Sequence, residues 1–156
     1  MMEIVEVKLD EDYQIAAQLF KEYSTVIGID LEFQNFSQEI ATIKSQYSRP
    51  EGAIFLVYHE KNLASGCFGI RKLEDTICEL KRMYLKTELQ GLGIGKLMLE
   101  KSFECAKELG YQKMRLDTLS TMHAAISLYK KMGFYEIQPY RFNPIEGAKY
   151  FEVILH

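Results

Sequence analysis

The sequence predicts an α/β fold of about seven strands and about four helices. Three observations predict it. Segments with apolar residues at helical spacing are interleaved with β-rich runs, two helical segments precede a block of three strands, and strand–helix units follow later. No repeat, low-complexity tract or Pro/Gly-rich linker divides the 156 residues, a length suited to one domain, 1–156, with a real core.

Residues 3–8 alternate apolar Ile4 and Val7 with charge and read as a first strand. Asp10 is a candidate N-cap for a helix in which Ile15, Leu19, Tyr23 and Val26 recur at helical spacing, with Gly28 as its stop. Residues 28–36 read as a loop carrying Phe33 and Phe36. Ser37 begins a short second helix to about residue 47, broken by Arg49-Pro50-Glu51-Gly52. Residues 53–59 and 63–71 form a hairpin across the turn-like Glu60-Lys61-Asn62, and residues 76–85 form the next strand. Leu99, Phe103 and Ala106, with Met98 and Leu109 beside them, mark a helix ended by Gly110. A short strand at 113–117 leads to a helix capped by Ser120 or Thr121, with Met122, Ala125, Leu128 and Met132 inward and Gly133 as its stop. Residues 134–137 and 150–155 close the sheet.

The strand at 76–85 changes phase. Its apolar residues stand at even positions, Cys78 and Leu80, and then at odd ones, Met83 and Leu85. Either a β-bulge lies between Leu80 and Met83, or Met83 and Leu85 face a second apolar layer. A bulge would leave backbone groups free to pair with the amides of an extended ligand.

Composition narrows the class. A hydrophobic content of 47% with 26% charged residues reads as soluble and globular. The net charge of −3 gives no general footprint for nucleic acid. No apolar run is long enough to span a membrane, and residues 1–12 lack the basic start and apolar centre of a secretory signal. Three cysteines, Cys67, Cys78 and Cys105, all in apolar contexts, favour reduced thiols and a cytoplasmic location. No Cys/His spacing suggests a metal site.

The segment Gln90-Gly91-Leu92-Gly93-Ile94-Gly95-Lys96 stands between a strand and a helix start. Its glycines let backbone N–H groups approach a bound group closely, and the first helical turn offers unpartnered N–H groups at the positive end of the dipole. Together these make a site for a phosphate or pyrophosphate of a nucleotide-type cofactor. A Walker loop would need Ser or Thr after Lys96, where Leu97 stands, and the glycine spacing is too short for a dinucleotide fingerprint.

Gln90, Gly93 and Gly95 do fill the pattern [Gln/Arg]-x-x-Gly-x-[Gly/Ala]. With Met83-Tyr84-Leu85 before it and Leu128-Tyr129-Lys130-Lys131-Met132-Gly133-Phe134 after it, residues 76–135 resemble the GNAT superfamily of N-acetyltransferases. The resemblance implies a mixed, mostly antiparallel central sheet with a bulged, splayed central strand. It implies acetyl-CoA as cosubstrate and no metal. The pantetheine arm is expected on the edge at Met83 and Leu85, and the pyrophosphate on residues 90–96. It further implies direct acetyl transfer to the amine of a small molecule; a homodimer is left open.

Transfer to an amine needs a proton acceptor for the amine and a donor for the departing thiolate. A thiol titrates at about 8.5 and a phenol at about 10, so a tyrosine beside the sulfur is a fitting donor. Tyr129 occupies the superfamily's position for that acid; by spacing alone it reads as a packing residue. Glu79, six residues before Leu85, stands where some members carry a base, and its other reading is an ion pair with Lys81 on the same strand face. Met122 occupies the place where many members have an asparagine that contacts the cofactor, so Ser120 or Thr121 is expected to supply that contact if any residue does.

The acceptor pocket is expected between loops 28–36 and 138–149, long connections that carry Phe33, Phe36, Tyr140, Arg141 and Phe142. Arg141, with Arg71 at a strand end, offers paired donors for a carboxylate, so an acceptor bearing both amine and carboxylate is expected; the alternative is that both are solvated surface charges. Two other functions fit the motifs: a non-catalytic acyl-CoA-binding or regulatory domain, and a protein or peptide N-acetyltransferase.

Overall fold

A computed structural model describes residues 2–60 and 62–156; Lys61, within the expected turn, lies outside the described residues. In chain order the elements are β1 (Glu3–Glu6), α1 (Asp10–Ile27), a 3₁₀ turn (Leu31–Gln34), α2 (Phe36–Ala41), α3 (Ile43–Gln46), β2 (Ala53–Glu60), β3 (Leu63–Glu74), β4 (Ile77–Leu85), a second 3₁₀ turn (Thr87–Leu89), α4 (Ile94–Glu108), β5 (Lys113–Leu119), α5 (His123–Lys131), β6 (Tyr135–Ile137) and β7 (Ala148–Ile154). The strands form one open sheet in the order β1-β2-β3-β4-β5-β7-β6. Every pairing is antiparallel except β4 with β5, which α4 connects.

Both faces of the sheet are covered, so β2 is apolar almost throughout. Phe55 and Val57 point to a core shared with Met98, Leu99 and Ala106 of α4. Ile54 and Leu56 point to a second core with Ala16, Ala17 and Phe20 of α1 and Ile43 of α3. Strand alternation thus sorts one run of sequence into two layers.

The phase change in β4 is a bulge at Arg82. Cys67 of β3 lies opposite Tyr84 and Gly69 opposite Lys81, so two steps along β3 match three along β4. Arg82 takes up the extra residue with φ 54, in the left-handed region. Cys78 and Leu80 before it, and Met83 and Leu85 after it, all pack on the α4 side. Parallel pairing with β5 runs only from Ile77↔Lys113 to Glu79↔Arg115. Beyond that the two central strands diverge, and β5 continues beside β7 as far as Leu119↔Ala148.

Four expectations are corrected. The buried stripe of α1 is Tyr13, Ala16, Ala17, Leu19 and Phe20, while Ile15 and Val26 are exposed. Two alanines and a tyrosine carry little weight in an apolar pattern, so the stripe was expected one side too far round. The second helix splits into α2 and α3 at Thr42, whose hydroxyl bonds back to the carbonyl of Gln38 at 2.7 Å, which gives five α-helices in place of four. It starts after Asn35, not at Ser37. Asp10, Ser120 and Thr121 are not caps: α1 starts after Leu9 and α5 after Met122, neither with a side-chain cap.

Tyr47 pins α3 to the sheet. Its hydroxyl donates to Glu39 at 2.8 Å, its carbonyl accepts from Tyr13 at 2.8 Å, and its ring is fully buried. A Cβ at Gly69 of β3 would stand 2.7 Å from that ring. Gly69→Ala is therefore expected to destabilise the protein by about 1–3 kcal/mol, because the ring has nowhere to move. Thermal or urea unfolding of the variant checks this; an unchanged midpoint would show that the Tyr47 ring is free to shift.

Candidate active site

The glycine loop takes its shape from two residues. Gly91 and Gly93 both have φ 81, and a Cβ at either would meet open space. Gly93 is the N-cap of α4, without a side-chain cap, and among the described residues no carbonyl outside the helix takes the N–H groups of residues 91–96. Gln90 ties the loop to the end of β4 through Nε2 donating to the Leu85 carbonyl at 2.9 Å. Leu92 and Lys96 are exposed, Ile94 is buried, and Gly95 lies against Leu128, so the start of α4 packs closely on α5. Free donors, open space above them and an unpaired β4 edge past Glu79 form a cradle that fits a pyrophosphate followed by an extended amide chain.

A cavity of about 30 Å³, the room of one water or one ammonium group, lies where β4 and β5 diverge. Lys81, Arg82 and Met83 line it from β4, Asp117 and Thr118 from β5, Tyr23 from α1 and Tyr129 from α5. Tyr129 is the buried residue of α5, with its ring against Phe134 and Phe151. Burial pushes its phenol well above the ordinary 10, so it is protonated at neutral pH. Arg82, Asp117, Thr118 and Met122 also line a second cavity, which adds Ile27 from the end of α1, Ile29 and Phe33 from the α1–α2 connection and Asn143 and Ile145 from the β6–β7 connection.

Charge is concentrated on the α1 face of β4. Arg82 pairs with Glu39 through two hydrogen bonds of 2.7 and 3.2 Å, and its guanidinium lies 5.3 Å from the Phe36 ring centre. Lys81 Nζ donates to Gln34 Oε1 at 3.0 Å, and Gln34 Nε2 donates to Asp117 at 3.3 Å. Glu79 is wholly buried. Its Oε2 accepts from the Tyr140 hydroxyl at 2.8 Å and from Arg141, while Oε1 lies 3.5 Å from Arg71 Nε and 3.9 Å from Lys81 Nζ. Burial would raise the Glu79 carboxyl; Lys81, Arg141, Arg71 and the Tyr140 bond outweigh it and hold the group below the usual range. Arg71 also donates to Gln46 at 2.8 Å.

The family model described as the acetyltransferase (GNAT) family matches residues 13–134. The chain is an acetyltransferase of the GNAT family. An uncharacterized N-acetyltransferase of Schizosaccharomyces pombe is 37% identical over 145 residues, 92% of this chain and 89% of the relative. One from Dictyostelium discoideum is 33% identical, over 88% of this chain and 93% of the relative. A GNAT acetyltransferase structure from Staphylococcus aureus superposes with a TM-score of 0.81 over 100% of both chains at 22% identity, which speaks for the fold.

The structure brings Met83 and Tyr129 together at one cavity, sets Phe33 at the neighbouring one, and places the loop of residues 90–96 at the start of α4. Met83 and Leu85 are half-buried on the α4 side. Arg71 and Arg141 both turn onto Glu79, and with Glu79 and Gln46 they line a cavity of about 490 Å³. Phe36 packs in the α1-side core beneath Arg82, and Phe142 is 79% exposed. Gln34, Glu39, Arg82 and Asp117 went unnoticed in the sequence. The available signal was a run of charge, Glu79, Lys81 and Arg82, inside a strand whose other residues are apolar. All three cysteines are buried and free, and no helix among the described residues is long and apolar enough to cross a membrane.

Burial would raise the Glu39 carboxyl, but the Arg82 hydrogen bonds and charge bring it below its ordinary 4.5. A carboxyl depressed on folding lends its full stability above that value and loses it as pH falls through the native pKa. Glu39→Gln leaves Arg82 buried beside a neutral partner, with an expected loss of about 3–5 kcal/mol at pH 7. Urea unfolding between pH 3 and pH 7 checks this: the variant should be less stable at neutral pH and should lose less on acidification. Parallel curves for the two proteins would contradict it.

Proposed function

We propose that the chain transfers the acetyl group of acetyl-CoA directly to the amine of a small molecule. The observation that carries this reading is the cavity between β4 and β5, which Tyr129 lines and which shares Arg82, Asp117, Thr118 and Met122 with a second cavity of about 40 Å³. Residues 90–96 hold the pyrophosphate through their N–H groups, and the β4 edge at Met83 and Leu85 pairs with the pantetheine amides. Bound acetyl-CoA supplies the acyl group as a thioester. Tyr129 holds a proton that belongs at the sulfur, and its buried ring fixes where that proton is delivered.

The acceptor enters by the groove between the α1–α2 and β6–β7 connections. Ile27, Ile29, Leu31 and Ile145 give that groove apolar walls, and Asp117 stands where the groove meets the inner cavity. This supports a primary amine with an apolar body, its ammonium directed to Asp117. It replaces the carboxylate expectation, because the two arginines that would serve a carboxylate are engaged by Glu79. Arg141 instead holds the β6–β7 connection against β4, and Arg71 ties β3 to the same carboxylate.

An acceptor panel with a thiol reagent for released CoA tests the reaction. Acceptor-dependent CoA release from apolar primary amines is expected; CoA binding without release from any amine would make this a binding domain. Tyr129→Phe is expected to lower kcat by about 10²-fold with little change in acetyl-CoA affinity. Equal turnover would reduce Tyr129 to packing. Gly93→Val places a branched side chain at positive φ and fills the open space over the loop, so calorimetry should show CoA affinity at least about tenfold weaker in a folded protein. Unchanged affinity would remove the loop from the cofactor site.

A further inference from the structure

We propose that Lys81, and not Glu79, accepts the proton that the acceptor ammonium must lose. The proposal rests on the acetyl-transfer reading above and adds the identity of the base.

The first argument is placement. Lys81 lines the same small cavity as Tyr129 and Asp117. Glu79 lines a different cavity, of about 490 Å³, with Gln46, Arg71 and Arg141. A base must lie within hydrogen-bond reach of the proton it takes, directly or through one water. The inner cavity, of about 30 Å³, holds an ammonium group or a single water and no more.

The second argument is what surrounds each group. Glu79 presents its carboxylate to Arg71, Lys81 and Arg141 and receives the Tyr140 hydroxyl. The two arginines repel an arriving ammonium and make the carboxylate a weak proton acceptor. Lys81 is 2% exposed, and its one short hydrogen bond is to Gln34. The charges acting on it come from several elements: Glu79 and Arg82 on β4, Asp117 on β5 and Arg141 on the β6–β7 connection. The phenols of Tyr23 from α1 and Tyr129 from α5 line the same space. Burial outweighs the two carboxylates, Arg82 and Arg141 add to it, and Lys81 is brought down to about 8. A lysine there exchanges its proton near neutral pH, which a solvated lysine does not.

The proton balance closes. One ammonium N–H bond breaks and an Nζ–H bond forms at neutral Lys81. The freed lone pair makes the N–C bond to the acetyl group as the C–S bond breaks. Tyr129 gives its proton to sulfur and regains one from the acetylated nitrogen, and Lys81 passes its proton to water in the groove beside Asp117.

The test has two arms. In the first, the protein without substrates is labelled at lysine Cε with ¹³C and titrated by NMR, with Lys81→Arg identifying the Lys81 signal. Titration near pH 8 is expected; a Lys81 that stays charged above pH 10 overturns the proposal whatever the acceptor turns out to be. In the second, kcat/KM is followed against pH for benzylamine, phenethylamine or whichever panel amine the wild type acetylates. Lys81→Met and Lys81→Arg should both fall by about 10²-fold at pH 7 and recover as pH rises and the amine deprotonates unaided. An active Lys81→Arg would show that only the charge matters, and a loss independent of pH would show a structural role; either result overturns the proposal. Failure of the wild type on every amine would instead defeat the acetyl-transfer reading, with the NMR titration left intact.

Discussion

The arrangement of the site depends on one extra residue in β4. Without Arg82 as a bulge, Met83 and Leu85 would fall on the face of Lys81, and the apolar layer against α4 would be broken. With it, the parity of the strand resets, and Lys81 and Arg82 come to lie on the α1 side. The pairing with β5 has already ended at Glu79↔Arg115, so the bulged stretch has β3 on one side and an open edge on the other. An open edge in mid-sheet is ordinarily a liability. Here the open edge is the one to which the proposed reading assigns an extended amide chain as partner.

The bulge brings a second requirement. It sends a guanidinium into the interior, and an unpaired buried charge would be strongly destabilising. Glu39 answers it from α2 with two hydrogen bonds, and Tyr47 completes the carboxylate from just beyond α3. The short, broken helices after the 3₁₀ turn therefore bring counter-charges to a strand that could not otherwise carry them. Glu79 has the corresponding role nearer the start of β4. It gathers Arg71, Lys81, Arg141 and Tyr140 from β3, from its own strand and from the β6–β7 connection. A carboxylate so enclosed suits organisation better than proton transfer.

What was legible in the sequence follows from how local each signal is. The glycine loop and Tyr129 lie in short patterns whose geometry is fixed by near neighbours, and the bulge showed as a parity change within eight residues, Cys78 to Leu85. The α1 stripe was mis-set because Ala16, Ala17 and Tyr13 weigh less in a pattern than Ile15 and Val26, although the tight sheet contact selects the smaller residues. The pairs that shape the acceptor side span long stretches: Arg82 and Glu39 are 43 residues apart, Arg141 and Glu79 are 62. Spacing carries no trace of such pairs. Arg71 and Arg141 were expected at one end of the sheet as hosts for a ligand's carboxylate, and the structure sets both against the protein's own Glu79.

Glu79 and Lys81 stand two residues apart on one strand face, carry opposite charge and lie 3.9 Å apart at their nearest atoms. From sequence they look like equivalent halves of an ion pair. Their neighbours make them unequal. Lys81 itself, two arginines and a phenol hold Glu79 ionised, while Lys81 is wholly buried and has Arg82 beside it. Desolvation acts against the charge on both, and only Glu79 has enough opposite charge to overcome it. Bulge, splay and counter-ion network thus act on the same atom. The bulge sets Arg82 next to Lys81, the splay opens the cavity at its side, and Glu79 is shared between Lys81 and two arginines.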